Sequence, residues 1–98
     1  MKYRIVFTPD AEQDIEDSYL WYEGQAEGLG EDFRAEVKAA TQRIHRGPLA
    51  YQIIDEDTRR ALVHTFPHAA FFVIDDDKIV VIACIHQRQD PRVWRSRR

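Results

Sequence analysis

Apolar residues recur along this chain with two different periods, and the changes of period mark its elements. Residues 3–7 form a short, mostly apolar run stopped by Thr8-Pro9, as a strand would. Thr8 suits a helix N-cap and Pro9 the first helical position. Asp10, Glu12 and Asp14 then fall near the positive end of the helix dipole. Ala11, Ile15, Tyr19, Tyr22 and Ala26 follow at steps of three and four, which predicts a helix over about 9–26 with one apolar face. Gly28 and Gly30 interrupt it. Phe33, Val37, Ala40 and Ile44 resume the same period, so a second helix is predicted from about Glu31, ended by Gly47-Pro48. So short a break predicts an antiparallel helical hairpin.

The period then shortens to two. Residues 49–58 show no clear period and end in Asp55-Glu56-Asp57; they read as a loop, with a short extended piece around 52–54. Residues 60–65 alternate Arg60, Leu62 and His64 against Ala61, Val63 and Thr65, the pattern of a half-buried strand. Phe66-Pro67 marks a bend, residues 69–74 a further strand, and Asp75-Asp76-Asp77-Lys78 a turn. Residues 79–85 are apolar without interruption, which predicts a central strand covered on both faces and paired in a hairpin with the strand before it. The order β-α-α-β-β-β predicts an α+β fold: a helical hairpin packed on one face of a small, mainly antiparallel sheet. The length fits a single domain over 1–98, with a basic tail from about residue 87.

Composition narrows the function classes. Hydrophobic residues make up 44% of the chain and aromatics 11%, enough for one core and too many for a disordered segment. The single Cys84 excludes an intrachain disulfide and a cysteine-based zinc site, and its apolar neighbours make it a small buried hydrophobe. His45, His64, His68 and His86 show no metal-ligand spacing, so no metal is expected. No Gly-rich phosphate loop or nucleophile elbow is present, and no cofactor is expected. No apolar run reaches membrane-spanning length, and residues 2–7 show no signal-peptide pattern. A cytoplasmic location without a membrane partner is the expectation.

Charge adds a second feature. The net charge of −3 conceals an asymmetry: residues 10–32 carry nine Asp or Glu and no Lys or Arg, while residues 86–98 carry five Arg and one Asp. Such a distribution points to a charged partner, a nucleic acid or an oppositely charged protein segment, or simply to solvated surface.

His86, Arg88, Asp90, Arg92 and Trp94 follow the strongest strand. A histidine at a strand's exit exchanges protons near neutral pH, arginines hold phosphate through paired bonds, and tryptophan stacks on a base or caps the core. The same residues equally suit a strand end, a core cap and a solvated surface. Three features together resemble the RelE/ParE superfamily, ParE-like more than RelE-like. They are the start Phe7-Thr8-Pro9-Asp10-Ala11 leading to Asp14-Ile15, the Phe66-Pro67 bend, and the tail from Ile85-His86-Gln87-Arg88 through Asp90-Pro91-Arg92 to Trp94. The likeness covers nearly the whole chain.

These are toxins of bacterial type II toxin–antitoxin pairs, also called plasmid-stabilisation proteins. The resemblance implies growth arrest relieved by a cognate antitoxin that contributes an acidic or amphipathic segment. RelE-type members cleave mRNA on the ribosome with basic and acid–base side chains on the concave sheet face; ParE-type members act on DNA gyrase. Many members read Phe-Pro-Tyr-Arg at the third-strand start, where that Arg corresponds to a catalytic group of the nucleases. Here the segment is Phe66-Pro67-His68-Ala69, and loss of one such donor costs roughly 10²–10³ in rate. The resemblance therefore implies a gyrase inhibitor that acts by binding, without catalytic residues, through Arg59, Arg60, His68, His86, Arg88, Arg92 and Trp94. Two alternatives stay open. One is a ribosome-dependent mRNA endonuclease using His86, Arg60 and Arg88; the other is a non-toxic relative that only binds. Glu56 could pair with a histidine as a base, but it lies in a charge run of the kind usually solvated.

Overall fold

Thr8 sets the first boundary. Its extended backbone and its Oγ1, which accepts from the Ala11 N–H at 3.1 Å, separate strand β1 (Arg4–Phe7) from helix α1 (Pro9–Gln25). The computed structural model describes residues 2–97. After α1 follow α2 (Leu29–Arg46), a single 3₁₀ turn, β2 (Ile53–Asp55), β3 (Thr58–Leu62), β4 (His68–Asp75), β5 (Lys78–His86) and α3 (Pro91–Arg95). The sheet order is β1-β5-β4-β3-β2. β1 runs parallel to β5 and the other pairs are antiparallel, so the expected α+β fold, with a helical hairpin on one face of the sheet, holds.

The hairpin turns where the two glycines lie, for a specific reason. Gly28 takes φ 88°, and the Glu23 carboxylate of α1 accepts the N–H groups of Gly28 and Gly30 at 3.0 and 2.9 Å. A side chain of the first helix thus caps the second, which begins at Leu29, two residues before the expected Glu31. Ala26 caps α1 from outside and is exposed, so the apolar face ends at Tyr22 rather than Ala26.

The second half sharpens the expected elements. The short extended piece expected around 52–54 is the edge strand β2, paired with β3 through Ile53 and Arg59. Strand β3 begins at Thr58 and ends at Leu62 instead of spanning 60–65, because Thr65 turns the chain with φ 66°. The basic tail holds a short helix: Asp90 caps α3 by accepting the Arg92 N–H at 2.9 Å. Arg98, part of the basic tail, lies outside the described residues.

The core fills both faces of the sheet. Between the helices and the sheet, Ala11 and Ile44 meet Ala61, Phe72, Ile79 and Val81, and beside them Phe33, Val37 and Ala40 meet Val63 and Cys84. On the opposite face Trp94 of α3 stacks on Phe71, ring centroids 5.1 Å apart, over Ala69, Ile82 and Ala83. One irregularity decides which residues share a face. The β4–β5 register runs from Phe72↔Val81 to Phe71↔Ala83, leaving Ile82 as an extra residue. This bulge reverses the alternation of β5. Ile79 and Val81 meet the helices before it, Cys84 and His86 after it.

Candidate functional site

The bulge brings His86 beside His68. The two residues are register partners at the end of the sheet, and their ring centroids are 6.2 Å apart. Over them lies the α1 face formed by Asp14, Ser18 and Tyr22, spaced by single helical turns. The walls meet in a cleft of two adjoining cavities. One, of about 290 Å³, mixes polar and apolar walls: Asp14, Asp17, Ser18, Gln89, Arg97 and both histidines beside Ile85 and Val93. The other, of about 390 Å³, is mainly apolar and is lined by Trp21, Tyr22 and Pro67 with the same histidines.

His68 is buried, 8% exposed, between Tyr22 and Phe33. Its Nε2 lies 3.2 Å from Ser18 Oγ, and its Nδ1 is buried without a partner. The tautomer that donates from Nε2 leaves Nδ1 as a bare acceptor, which costs less than a stranded N–H and far less than a buried cation. Burial lowers the His68 pKa from 6.5; the charge of His86 lowers it further, and Asp14 opposes both. His86 is exposed and its Nδ1 accepts the Arg88 N–H at 3.0 Å, so in its neutral form the proton sits on Nε2. His86 thus presents a donor nitrogen beside the cleft, while the bare acceptor of His68 is buried.

Asp14 and Arg97 form the far wall. Their side chains meet at 2.6 and 3.2 Å and are 13% and 19% exposed. The pair lies along the rim of β5. Strand β1 accompanies β5 only as far as Val81, whose carbonyl accepts from the Thr8 N–H at 3.0 Å. Beyond that point the Ile82 carbonyl accepts from Arg97 at 3.2 Å, and the Cys84 N–H donates to Asp14 at 3.0 Å. An ion pair therefore occupies the positions a neighbouring strand would fill.

The residues expected from sequence divide into three sets. His68 and His86 come together, with Arg88 next to them. Arg60 and Leu62 alternate with the inward Ala61, so Arg60 lies on the sheet face away from the helices, opposite Phe71 and apart from His86. Arg59 and Trp94 serve the fold: Arg59 donates to the carbonyls of Tyr51 and Leu49 at 2.6 and 3.4 Å, and Trp94 is buried on Phe71. Arg92 is exposed and paired with Asp90 at 2.6 Å, which holds the Asp90 carboxyl below its usual range. Sequence reasoning missed Ser18, Asp17 and Arg97. The turn-by-turn spacing of Asp14 and Ser18 on α1 was a signal for Ser18; nothing in the tail singled out Arg97 from its neighbours. Among the described residues no group of His, Cys, Asp or Glu could hold a metal ion, and no helix is long and apolar enough to cross a membrane.

A family model, the ParE toxin of the type II toxin–antitoxin system parDE, matches residues 5–91. The match ends at the start of α3, so Trp94 and Arg97 lie beyond it. Among solved structures, the chromosomal ParDE toxin–antitoxin system from P. aeruginosa superposes with a TM-score of 0.72 at 13% identity, over 87% of this chain and 96% of that one. The YoeB dimer from Staphylococcus aureus gives 0.61 at 16% identity, over 89% of this chain and 99% of that one. Identities so low speak for the fold. No curated protein sequence matches the chain.

Proposed function

The chain belongs to the ParE toxin family of type II toxin–antitoxin systems, and from that premise we propose that it arrests growth by binding DNA gyrase and is neutralised by a cognate antitoxin in the cytoplasm. One observation carries the choice of a binding toxin over a nuclease. The sheet face that a RelE-type nuclease would need for its cations is apolar here. Ala69 is fully buried where the nuclease arginine would stand, under the Phe71–Trp94 stack. Arg60 is on that face and His86 on the other, so the three groups an endonuclease would use do not converge. In this reading the exposed His86, Arg88 and Arg92 contact the target, while Arg59, His68 and Trp94 support that surface from within.

An in vitro supercoiling assay tests the proposal. Purified toxin should stop gyrase, antitoxin should restore it, and Arg88→Ala with Arg92→Ala should relieve inhibition without loss of fold. Full supercoiling at saturating toxin, while the same protein still arrests cells, would refute the gyrase target.

The His68–His86 pair favours the endonuclease as a second reading, since it sets an exposed imidazole next to a second one at the same cleft. Codon-linked mRNA cuts that vanish in His86→Ala would establish it. Absence of any growth defect in the native host without antitoxin would favour the non-toxic relative.

A further inference from the structure

One face of α1 carries Asp17, Ser18, Trp21 and Tyr22 at steps of three and four, and these side chains wall the 390 Å³ cavity opposite Pro67 and the two histidines. Trp21 is 61% exposed, and its ring meets that of Tyr22 at 5.1 Å between centroids and 83° between planes. Tyr22 is itself held edge-on by Phe66 at 4.8 Å. Two rings at right angles make a corner that offers aromatic surface to whatever enters. The charge around this corner has one sign. Among the described residues no Lys or Arg lines the cavity. The Asp17 carboxylate stands at its mouth and accepts from the neutral Gln13 amide at 2.8 Å, and among the described residues no ion pair engages it. Asp14, in the adjoining cavity, is closed by Arg97 at 2.6 Å. Burial, first of all, lowers the His68 pKa from 6.5, so this imidazole brings no positive charge near neutral pH.

We propose that this cavity is a binding site for a small organic cation, an amine or amidine with a flat apolar body. The body lies against Trp21, Tyr22 and Pro67, and the cationic end meets Asp17. Neither half would suffice alone. A solvent-exposed carboxylate holds a cation weakly, and so does an exposed aromatic face. Joined in one walled cavity, they select for charge and shape together, as small-molecule sites do with few polar groups among apolar walls. An anion meets Asp17 and no basic side chain here, and a neutral ligand leaves the carboxylate unused. The volume suits a molecule with a ring rather than a bare ion. The inference is independent of the gyrase reading.

Three probes of one shape and different charge test it: benzamidine, benzamide and benzoate. Each is titrated into the isotope-labelled full-length protein, and the NMR shifts of the backbone amides and the Trp21 indole are followed. Benzamidine should move the signals of Ser18, Trp21 and His86 to saturation, with a Kd in the millimolar range expected of so small a ligand. Benzamide should bind about fivefold weaker, and benzoate weaker still. Asp17→Asn should bring benzamidine down to the affinity of benzamide, and raised salt should narrow the gap between the two in the unaltered protein. Trp21→Ala should weaken benzamidine about fivefold. Leu20→Ala, at a neighbour 58% exposed that does not line the cavity, should leave it unchanged. The same spectra show that each variant is folded. Equal affinity for the three probes, saturation indifferent to Asp17→Asn, or no saturable shift by about 50 mM benzamidine would overturn the proposal. So would shifts centred on the 430 Å³ cavity beside His45 and Arg46, which lies elsewhere on the molecule.

Discussion

A buried imidazole can leave one nitrogen unpartnered only while it is neutral, and His68 is in that position. Its pKa in the fold is lowered from 6.5, by burial first and by His86 second. Below about pH 6.5 the unfolded chain therefore holds more protons at this site than the folded one, and stability falls as the pH drops; above it the contribution is complete. Urea unfolding between about pH 7 and pH 5 should show this decline, and His68→Phe should flatten it. An unchanged slope in the variant would place the sensitivity elsewhere. Asp14 has a different kind of importance. Its removal takes the nearer carboxylate from the half-buried Arg97 and the acceptor from the Cys84 N–H, so Asp14→Ala should cost roughly 1–3 kcal/mol by denaturant unfolding. Asp14→Ala combined with Arg97→Met should cost less than the sum of the single changes, because the half-buried charge leaves with the partner. Cys84 needs no such partner. Burial, then the Asp14 charge, pushes its thiol up to about 12, so a thiol reagent at about pH 8 should modify it only after unfolding.

At the scale of elements, the helical hairpin depends on close approach at Gly30. A Cβ there would lie 2.7 Å from the backbone oxygen of Tyr19, and that oxygen belongs to a helix that cannot easily move aside. Gly30→Ala should therefore destabilise the fold despite the better helix propensity of Ala, by roughly 1–3 kcal/mol, the usual cost of overpacking. Calorimetry would show a lowered Tm; an unchanged or raised one would mean that the helices separate freely. The same hairpin was legible in the sequence because its cues are local: Thr8, Pro9, the two apolar stripes and Gly47-Pro48 each act within a few residues. The hairpin of β4 and β5 was legible for the same reason. Strand β2 was legible only as a short extended piece around 52–54, since three residues without a period owe their bounds to pairing with β3. The face of His86 was not legible. An uninterrupted apolar run carries no phase, and the bulge at Ile82 fixes the phase through the register with β4. Hence the sequence pointed to the two histidines but not to their meeting, and it grouped Arg60 with His86 although the sheet separates them.

Over the whole molecule, the basic end of the chain reaches the acidic first helix through Arg97 and pairs elsewhere through its other ion pairs. Arg97 reaches Asp14 and Asp10, Arg95 reaches Asp55 at 3.0 Å, and Arg92 turns back to Asp90. The asymmetry that suggested an external partner is thus partly internal, a tie between the first helix and the last. The exposed ion pairs contribute little to stability, but they orient α3 so that Trp94 covers Phe71. Arg97 does more than tie. The stretch Ile82-Ala83-Cys84-Ile85 is extended, apolar and free of charge and proline, the composition from which stacked fibrils are built. Without Arg97, the Ile82 carbonyl loses its partner and Asp14 alone covers this edge through the Cys84 N–H. Arg97→Ala should accordingly scatter light and bind thioflavin T on mild heating at temperatures where Asp76→Ala, in the exposed β4–β5 turn, stays clear. An ion pair of two side chains stands where a further strand would pair, and that heating comparison tests whether it keeps other chains from joining the sheet there.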